Sequence, residues 1–154
     1  MSPLQVLRGL ASSRAENFKE AISDFNQAIK INPNDAFVYS VRGNARWELK
    51  DKQGALEDFN QAIKISPNNG FTYFARGNAR LELKDRQGAI EDFNQAIKFD
   101  PDLARAYANR GSARLALGDK QGAVVDFEKA ANLFQQQGRR KAYDMMINKI
   151  RSLQ

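Results

Sequence analysis

The sequence repeats itself with a period of 34 residues. The stretch RGNARWELKDKQGALEDFNQAIK (42–64) returns almost unchanged as RGNARLELKDRQGAIEDFNQAIK (76–98). The same offset superposes three prolines and four glycines, namely Pro33, Pro67 and Pro101, and Gly9, Gly43, Gly77 and Gly111. A fixed period of this length indicates an array in which each unit is one supersecondary structure and neighbouring units share a core.

Each unit has the pattern of two helices. Three columns of the repeat hold Ala, Phe and Ala at spacings of four and three residues, which mark one face of an α-helix. Their members are Ala21, Ala55, Ala89 and Ala123; Phe25, Phe59, Phe93 and Phe127; and Ala28, Ala62, Ala96 and Ala130. The preceding segment has a helical pattern of its own, in which small Gly43 allows close approach of a neighbouring helix. Asp51 is a predicted N-cap inside the unit, and the Pro and Asn of ISPNNG end one unit and start the next. We therefore predict an all-α chain of helical hairpins.

The composition removes several classes of function. The 154 residues contain no Cys and no His, so disulfides, thiolate or histidine metal sites and Ser/His/Asp triads are excluded. The acidic residues recur at repeat positions, which favours caps and ion pairs over a catalytic pair. No stretch is long and apolar enough to span a bilayer, and the start lacks the apolar region of a signal peptide. We expect a non-catalytic, soluble cytoplasmic protein with no cofactor and no membrane insertion.

The net charge of +6 is concentrated near the C-terminus. From position 129 onward, six basic residues face one acidic residue, Asp144: Lys129, Arg139, Arg140, Lys141, Lys149 and Arg151. A basic helix is often only a solvated face, but it also attracts anionic partners. Binding of nucleic acid or of an acidic surface through this helix is the alternative function.

The repeated residues resemble the tetratricopeptide repeat (TPR). The resemblance rests on Gly at position 8, Ala at 20, Phe at 24, Ala at 27 and Pro at 32 of a 34-residue unit. The sequence pattern RGNAR…QGA…DF.QAI is similar to that of cyanobacterial TPR proteins. Departures are Arg46, Arg80 and Arg114 where the family often has an aromatic residue, and Gln135 in place of the last Pro. Because of Gln135, we expect the last hairpin to continue further before it turns.

The resemblance implies a right-handed superhelical solenoid. It would form a single domain of about four hairpins, at approximately 2–35, 36–69, 70–103 and 104–137, with a capping helix at 139–153. It also implies a scaffold, adaptor or assembly factor that binds an unknown protein or peptide in a concave groove. The implied binding residues are Phe37, Ser40, Asn44, Trp47, Phe71, Phe74, Asn78, Leu81, Arg105, Asn109, Ser112 and Arg139.

Some of these residues have a structural alternative. Phe37, Phe71 and Trp47 could instead form the core between repeats, although the family register favours a binding surface for Trp47 and Phe74. Asn44 is a mediocre helix former whose amide can both donate to and accept from a peptide backbone. Self-association through apolar residues of the first repeat is a further alternative, and it rests on Val6, Leu7 and Leu10.

The arginines of RGNAR allow two interpretations. A ladder of Arg42, Arg76 and Arg110 would suit nucleic acid, but each is followed 16 residues later by an aspartate on the second helix of its hairpin: Asp58, Asp92 and Asp126. We therefore predict internal ion pairs, and the sequence favours a protein partner over nucleic acid.

Some TPR domains hold a partner's C-terminal carboxylate with a clamp of Lys, Asn, Asn, Lys and Arg. The matching positions here are Phe74, Asn78, Asn109, Arg139 and Tyr143. Only the two asparagines agree, while Arg139 substitutes one basic group for another. The loss of the first Lys removes a charge-assisted contact. We predict a groove that does not depend on a free C-terminus.

Overall fold

The computed structural model describes residues 17–154, and this part of the chain is all α-helical. Its eight helices are α1 (Phe18–Ile31), α2 (Ala36–Glu48), α3 (Lys52–Ile65), α4 (Gly70–Glu82), α5 (Arg86–Phe99), α6 (Ala104–Ala116), α7 (Lys120–Gln136) and α8 (Arg140–Ser152). They follow one another as paired hairpins, as predicted. The expectations that rest on Gly9 and on the apolar residues Val6, Leu7 and Leu10 lie outside the described residues.

The chain divides into two compact units, the first ending at Ala75 and the second running Arg76–Gln154. None of the helices in residues 17–154 has the length and apolar character needed to cross a membrane. The single-domain organisation stays a prediction.

In the first unit, α1 packs against α2 through small and aromatic residues. Its buried cluster consists of Ala21, Phe25, Ala28, Val38 and Ala45. The first three are the predicted Ala, Phe and Ala columns, and all three are fully buried. The spacing of four and three residues therefore does mark the buried face of the helix.

In the second unit, the core joins α6, α7 and α8. Ten buried residues form one cluster: Ala104, Ala108, Ala123, Phe127, Ala130, Ala131, Leu133, Phe134, Met146 and Ile150. Helix α7 has 17 residues whereas α3 and α5 have 14, so the predicted continuation past Gln135 is confirmed. The three additional residues include Phe134, which belongs to the buried cluster that α8 completes.

Within each described hairpin, a glycine lets the first helix touch an aromatic ring of the second. A Cβ placed on Gly43 would lie 2.7 Å from Cε1 of Phe59, and one on Gly111 would lie 2.7 Å from Cε1 of Phe127. Real Cβ atoms do not approach carbon so closely, so any side chain here would push the helices apart. The predicted close approach at Gly43 is confirmed.

The turns inside the hairpins are held by aspartates. Asp51 accepts a hydrogen bond from the Gly54 backbone N–H at 3.0 Å, so the predicted N-cap is confirmed. Just before each such aspartate the backbone is left-handed, with φ 68° at Lys50, 66° at Lys84 and 88° at Gly118. Glycine tolerates that conformation and lysine is strained by it.

Buried ion pairs connect the two helices of each hairpin whose helices both lie in residues 17–154. Arg76 donates from Nε and Nη2 to the two carboxylate oxygens of Asp92, at 3.0 and 2.8 Å. Arg42 and Arg110 make the same bidentate contact with Asp58 and Asp126. The predicted internal ion pairs are thus confirmed.

A second arginine completes each pair. Arg80 Nη1 lies 3.1 Å from Asp92, and the corresponding distances are 3.0 Å for Arg46 to Asp58 and 2.9 Å for Arg114 to Asp126. These arginines occupy the position at which the family often has an aromatic residue. The departure from the family pattern therefore supplies the second cation of a buried carboxylate.

We expect strong coupling between Arg76 and Asp92. The Asp92 side chain is only 3% exposed, so removal of either partner leaves a poorly solvated charge. Arg76→Ala should lower the free energy of unfolding by about 2 kcal/mol, with a coupling energy of at least about 1 kcal/mol in the double-mutant cycle. Urea unfolding followed by circular dichroism measures both quantities.

The exposed pair Arg140–Asp144 is the matched control. Its side chains are 84% and 53% exposed, so its cycle should give no more than about 0.5 kcal/mol. Additive effects at Arg76 and Asp92, equal to those of the control pair, would show that the buried network contributes no coupling.

Candidate functional site

The predicted binding residues of the first unit differ widely in exposure. Phe37 and Phe71 are 49% and 57% exposed, so the alternative in which they form the core is not favoured. Asn44 and Trp47 are half-buried, and the Lys52 ammonium lies 5.6 Å from the centroid of the Trp47 ring. These four residues retain surface that a partner can contact.

Ser40 and Phe74 lie in the interior. Each is only 4% exposed, and the Ser40 hydroxyl is hydrogen-bonded to the Thr72 hydroxyl at 2.8 Å. A side chain enclosed to this degree presents almost no surface to a ligand. Their burial argues against direct peptide contact, and we leave both residues out of the proposed binding surface.

The second unit contains a cavity of about 310 Å³ between α6 and α8, here called the α6–α8 cavity. It is lined by Arg105, Ala108, Asn109, Ser112, Phe134, Ala142, Met145, Met146 and Lys149. Arg105, Asn109 and Ser112 were predicted as binding residues from the sequence. The structure brings these three together on one wall.

The two asparagines of the second unit that were predicted to bind a partner form a pair. Asn109 Nδ2 donates a hydrogen bond to Asn78 Oδ1 at 2.6 Å. The bond fixes both amides and leaves Asn78 Nδ2 and Asn109 Oδ1 to other partners. Leu81, the remaining predicted residue of α4 in this unit, is half-buried. The unit thus holds an oriented donor and acceptor beside the cavity wall.

The charge of the α6–α8 cavity has one sign. Its two ionisable lining residues, Arg105 and Lys149, are both basic, and the lining contains no carboxylate. Met145 supplies exposed apolar surface, and the largely buried Phe134 and Met146 lie behind it. Such a lining suits a ligand that combines an apolar side chain with a negative charge.

Arg139 does not line the α6–α8 cavity. It lines a cavity of about 190 Å³ together with Gln135, Gly138, Arg140 and Tyr143, and its guanidinium stacks 5.5 Å from the Phe134 ring centroid. It also borders a cavity of about 270 Å³ that includes Asp100 and Asp102. The basic and asparagine positions of a carboxylate clamp therefore do not share one cavity in this unit.

Helix α8 contributes four lining residues that were not predicted as binding residues, and for three of them the repeat contained the signal. Adding one period of 34 residues to Ala108, Ser112 and Leu115 leads to Ala142, Met146 and Lys149. Helix α8 therefore continues the register of a first helix. Because the sequence predicted only a capping role for α8, its lining residues were not identified.

The basic face of α8 is exposed. Arg140, Lys141, Lys149 and Arg151 all lie at the surface, and Arg140 Nε is 3.2 Å from Asp144. In residues 17–154, no cluster of acidic side chains has the arrangement that would hold a metal ion.

Family models and solved structures resemble this chain. A tetratricopeptide repeat model matches residues 3–35 and 36–69, a second matches 104–137, and a TPR repeat model matches 77–118. No curated protein matches the sequence.

Among solved structures, the Arabidopsis OM64 TPR domain is 31% identical, with a TM-score of 0.69 over 76% of this chain and 94% of that one. MamA is 18% identical, with a TM-score of 0.74 over 94% of this chain and 93% of that one. The first TPR of Spaghetti (RPAP3), solved bound to HSP90 peptide SRMEEVD, is 24% identical, with a TM-score of 0.68 over 77% and 89%.

Two phenylalanines of α4 provide a matched test of burial. Phe74→Ala should lower the free energy of unfolding by about 3–5 kcal/mol because a fully enclosed ring is lost. Phe71→Ala should cost under about 0.5 kcal/mol because the ring is mostly in solvent. Urea denaturation compares the two, and equal small effects would mean that Phe74 is accessible after all.

Proposed function

The chain belongs to the tetratricopeptide repeat family, and we propose that it is a non-catalytic protein–protein interaction module, an adaptor or assembly factor. In this proposal, a peptide segment of the partner binds the α6–α8 cavity. Exposed Phe37 and Phe71 offer a second contact surface on the first unit. Descent from the cyanobacterial type of TPR protein stays a prediction.

The observation that carries the proposal is the lining of the α6–α8 cavity. Arg105, Asn109 and Ser112 come from one helix and face Ala142, Met146 and Lys149 of another. Two of the six are basic, two are polar and uncharged, and two are apolar. All lie at positions that recur with the repeat. The likeness to the TPR of Spaghetti, which was solved with a bound peptide, supports this use of the fold.

The lining indicates the chemistry of the ligand. An apolar side chain would contact Met145, which is 58% exposed, while a carboxylate nearby would pair with Arg105 or Lys149. The amide of Asn109 would hydrogen-bond the peptide backbone. An acidic segment with an internal leucine or methionine meets all three requirements.

The ligand should not require a free C-terminus. Phe74 stands where the clamp has Lys and is buried, and Arg139 and Tyr143 line a different cavity from Asn109. The asparagine pair offers an acceptor as well as donors, which matches a peptide unit better than a carboxylate.

The alternative is binding of nucleic acid or of an acidic surface by the exposed basic residues of α8. Contacts to phosphates would make the affinity fall steeply with salt. Binding in the apolar cavity depends less on ionic strength because its contacts are partly enclosed.

Two charge reversals on α8 separate these functions. Lys149 lines the cavity, whereas Lys141 is an exposed residue of the same helix outside its lining. We expect Lys149→Glu to weaken peptide binding by about tenfold or more and Lys141→Glu by about threefold or less. Calorimetric titration with a panel of acidic peptides, SRMEEVD among them, measures the affinities, and melting curves confirm that both variants fold.

Amidation of the peptide C-terminus completes the test and should change the affinity little. Loss of binding on amidation would restore the carboxylate-clamp interpretation. Equal effects of the two charge reversals, together with steep salt dependence, would favour the exposed basic surface. No binding across the panel would count against the cavity as a peptide site.

A further inference from the structure

The sulfur atoms of the described chain lie together at the α6–α8 cavity. The sequence has no cysteine and three methionines. Two of the three, Met145 and Met146, lie in residues 17–154, and both line the cavity. Met145 is 58% exposed, whereas Met146 is 5% exposed and belongs to the buried cluster of α6, α7 and α8.

This difference in exposure determines which thioether an oxidant can reach. Oxidation of methionine follows solvent access, so the Met145 sulfur is open to small peroxides and the Met146 sulfur is shielded. Helix packing enforces the distinction, because neighbouring residues of a helix point in directions about 100° apart. One thioether therefore faces the cavity mouth and the other faces the core.

We propose that Met145 is an oxidation site that controls the α6–α8 cavity, with hydrogen peroxide as the class of oxidant. The inference rests on the proposed peptide-binding function of the same cavity. A lone pair of the sulfur attacks one peroxide oxygen and forms an S–O bond while the O–O bond breaks. The proton of the transferred oxygen passes to the leaving hydroxide, so the sulfoxide and one water molecule form. Sulfur is oxidised by two electrons and the peroxide is reduced by two, so the step needs no further reactant. Methionine sulfoxide reductases reverse such a change.

The sulfoxide would weaken apolar binding for two reasons. It replaces a soft apolar surface at the cavity mouth with a strongly polar group, which an apolar ligand side chain would have to desolvate. It also adds a hydrogen-bond acceptor one helical turn from Lys149, since residues four apart are neighbours on a helix. The new acceptor would compete with a ligand carboxylate for that cation.

The fold tolerates oxidation at this position. The repeat column that holds Gly43, Gly77 and Gly111 reaches Met145 after one further period. At Gly111 an added Cβ would meet Phe127, whereas the Met145 side chain is largely in solvent. Oxidation should therefore change binding and leave the melting temperature nearly unaltered.

The test uses hydrogen peroxide on the full chain and anilinonaphthalene sulfonate (ANS) as the probe. ANS pairs an apolar ring system with a sulfonate, which matches the apolar and basic lining of the cavity. Peptide mapping by mass spectrometry should show Met145 oxidised at least about tenfold faster than Met146. Full oxidation of Met145 should raise the ANS dissociation constant about threefold or more.

Two variants provide controls. Met145→Leu removes the sulfur at a similar volume, so the affinity of this variant for ANS should be the same before and after peroxide treatment. The second control is the double variant Met145→Leu/Val125→Met. Val125 is 62% exposed on α7 and does not line the cavity, so this variant carries its exposed thioether elsewhere. Its oxidation should not change ANS binding.

The proposal is overturned if Met146 reacts as fast as Met145, if the reduced protein does not bind ANS, or if the Val125→Met control loses ANS affinity equally. The peptide titrations use reduced protein, so they stand apart from this result. Peptide binding without an oxidation effect would refute only the switch. Selective loss of ANS affinity without peptide binding would refute only the proposed function.

Discussion

The rest of the structure depends on a buried carboxylate held by two arginines. Transfer of an aspartate out of water is unfavourable unless it is paired and hydrogen-bonded, and Asp92 has both requirements met by Arg76 and Arg80. Because the arginines lie on one helix and the aspartate on the next, the pair fixes the register of the hairpin. The glycine–phenylalanine contact beside it sets the distance between the helices.

The same arrangement extends to the preceding hairpin in both units. Arg42 donates to Asn26 Oδ1 at 2.8 Å, and Arg110 donates to Asn94 Oδ1 at 2.9 Å. Each of these arginines therefore bonds the aspartate of its own hairpin and an asparagine of the one before. The sequence repeats because equivalent interfaces between helices need the same side chains at the same positions. Residues outside the network are free to differ, and they include the lining of the α6–α8 cavity.

Much of the scaffold could be predicted because it obeys local rules or a fixed period. The helix faces, the Asp51 cap and the Arg–Asp pairs all follow from spacing. Ser40, Phe74 and Ala108 occupy one repeat position and all are buried, but the column was not recognised as core because its members differ in size and polarity. The second arginine was visible only as a departure from the family pattern. Its role as a second cation beside the aspartate became clear only from the three-dimensional structure.

The candidate site was predicted in part for a related reason. Arg105, Asn109 and Ser112 were identified from repeat positions, but the opposite wall belongs to α8, which was interpreted only as a cap. That helix does pack on α7, and it also completes a cavity with basic and apolar surface. A capping helix that carries Met145 and Lys149 thus combines closure of the core with recognition of a ligand.

Methyl NMR of the methionines tests the role of this cavity most directly. With 13C-labelled methionine methyl groups, Met145→Leu and Met146→Leu assign two of the three signals, and both residues report on the cavity from inside its lining. The account predicts that a binding acidic peptide shifts both signals along the saturation curve measured by calorimetry. A peptide that binds with the same affinity while both methyl signals stay unmoved would show that recognition occurs elsewhere on the protein.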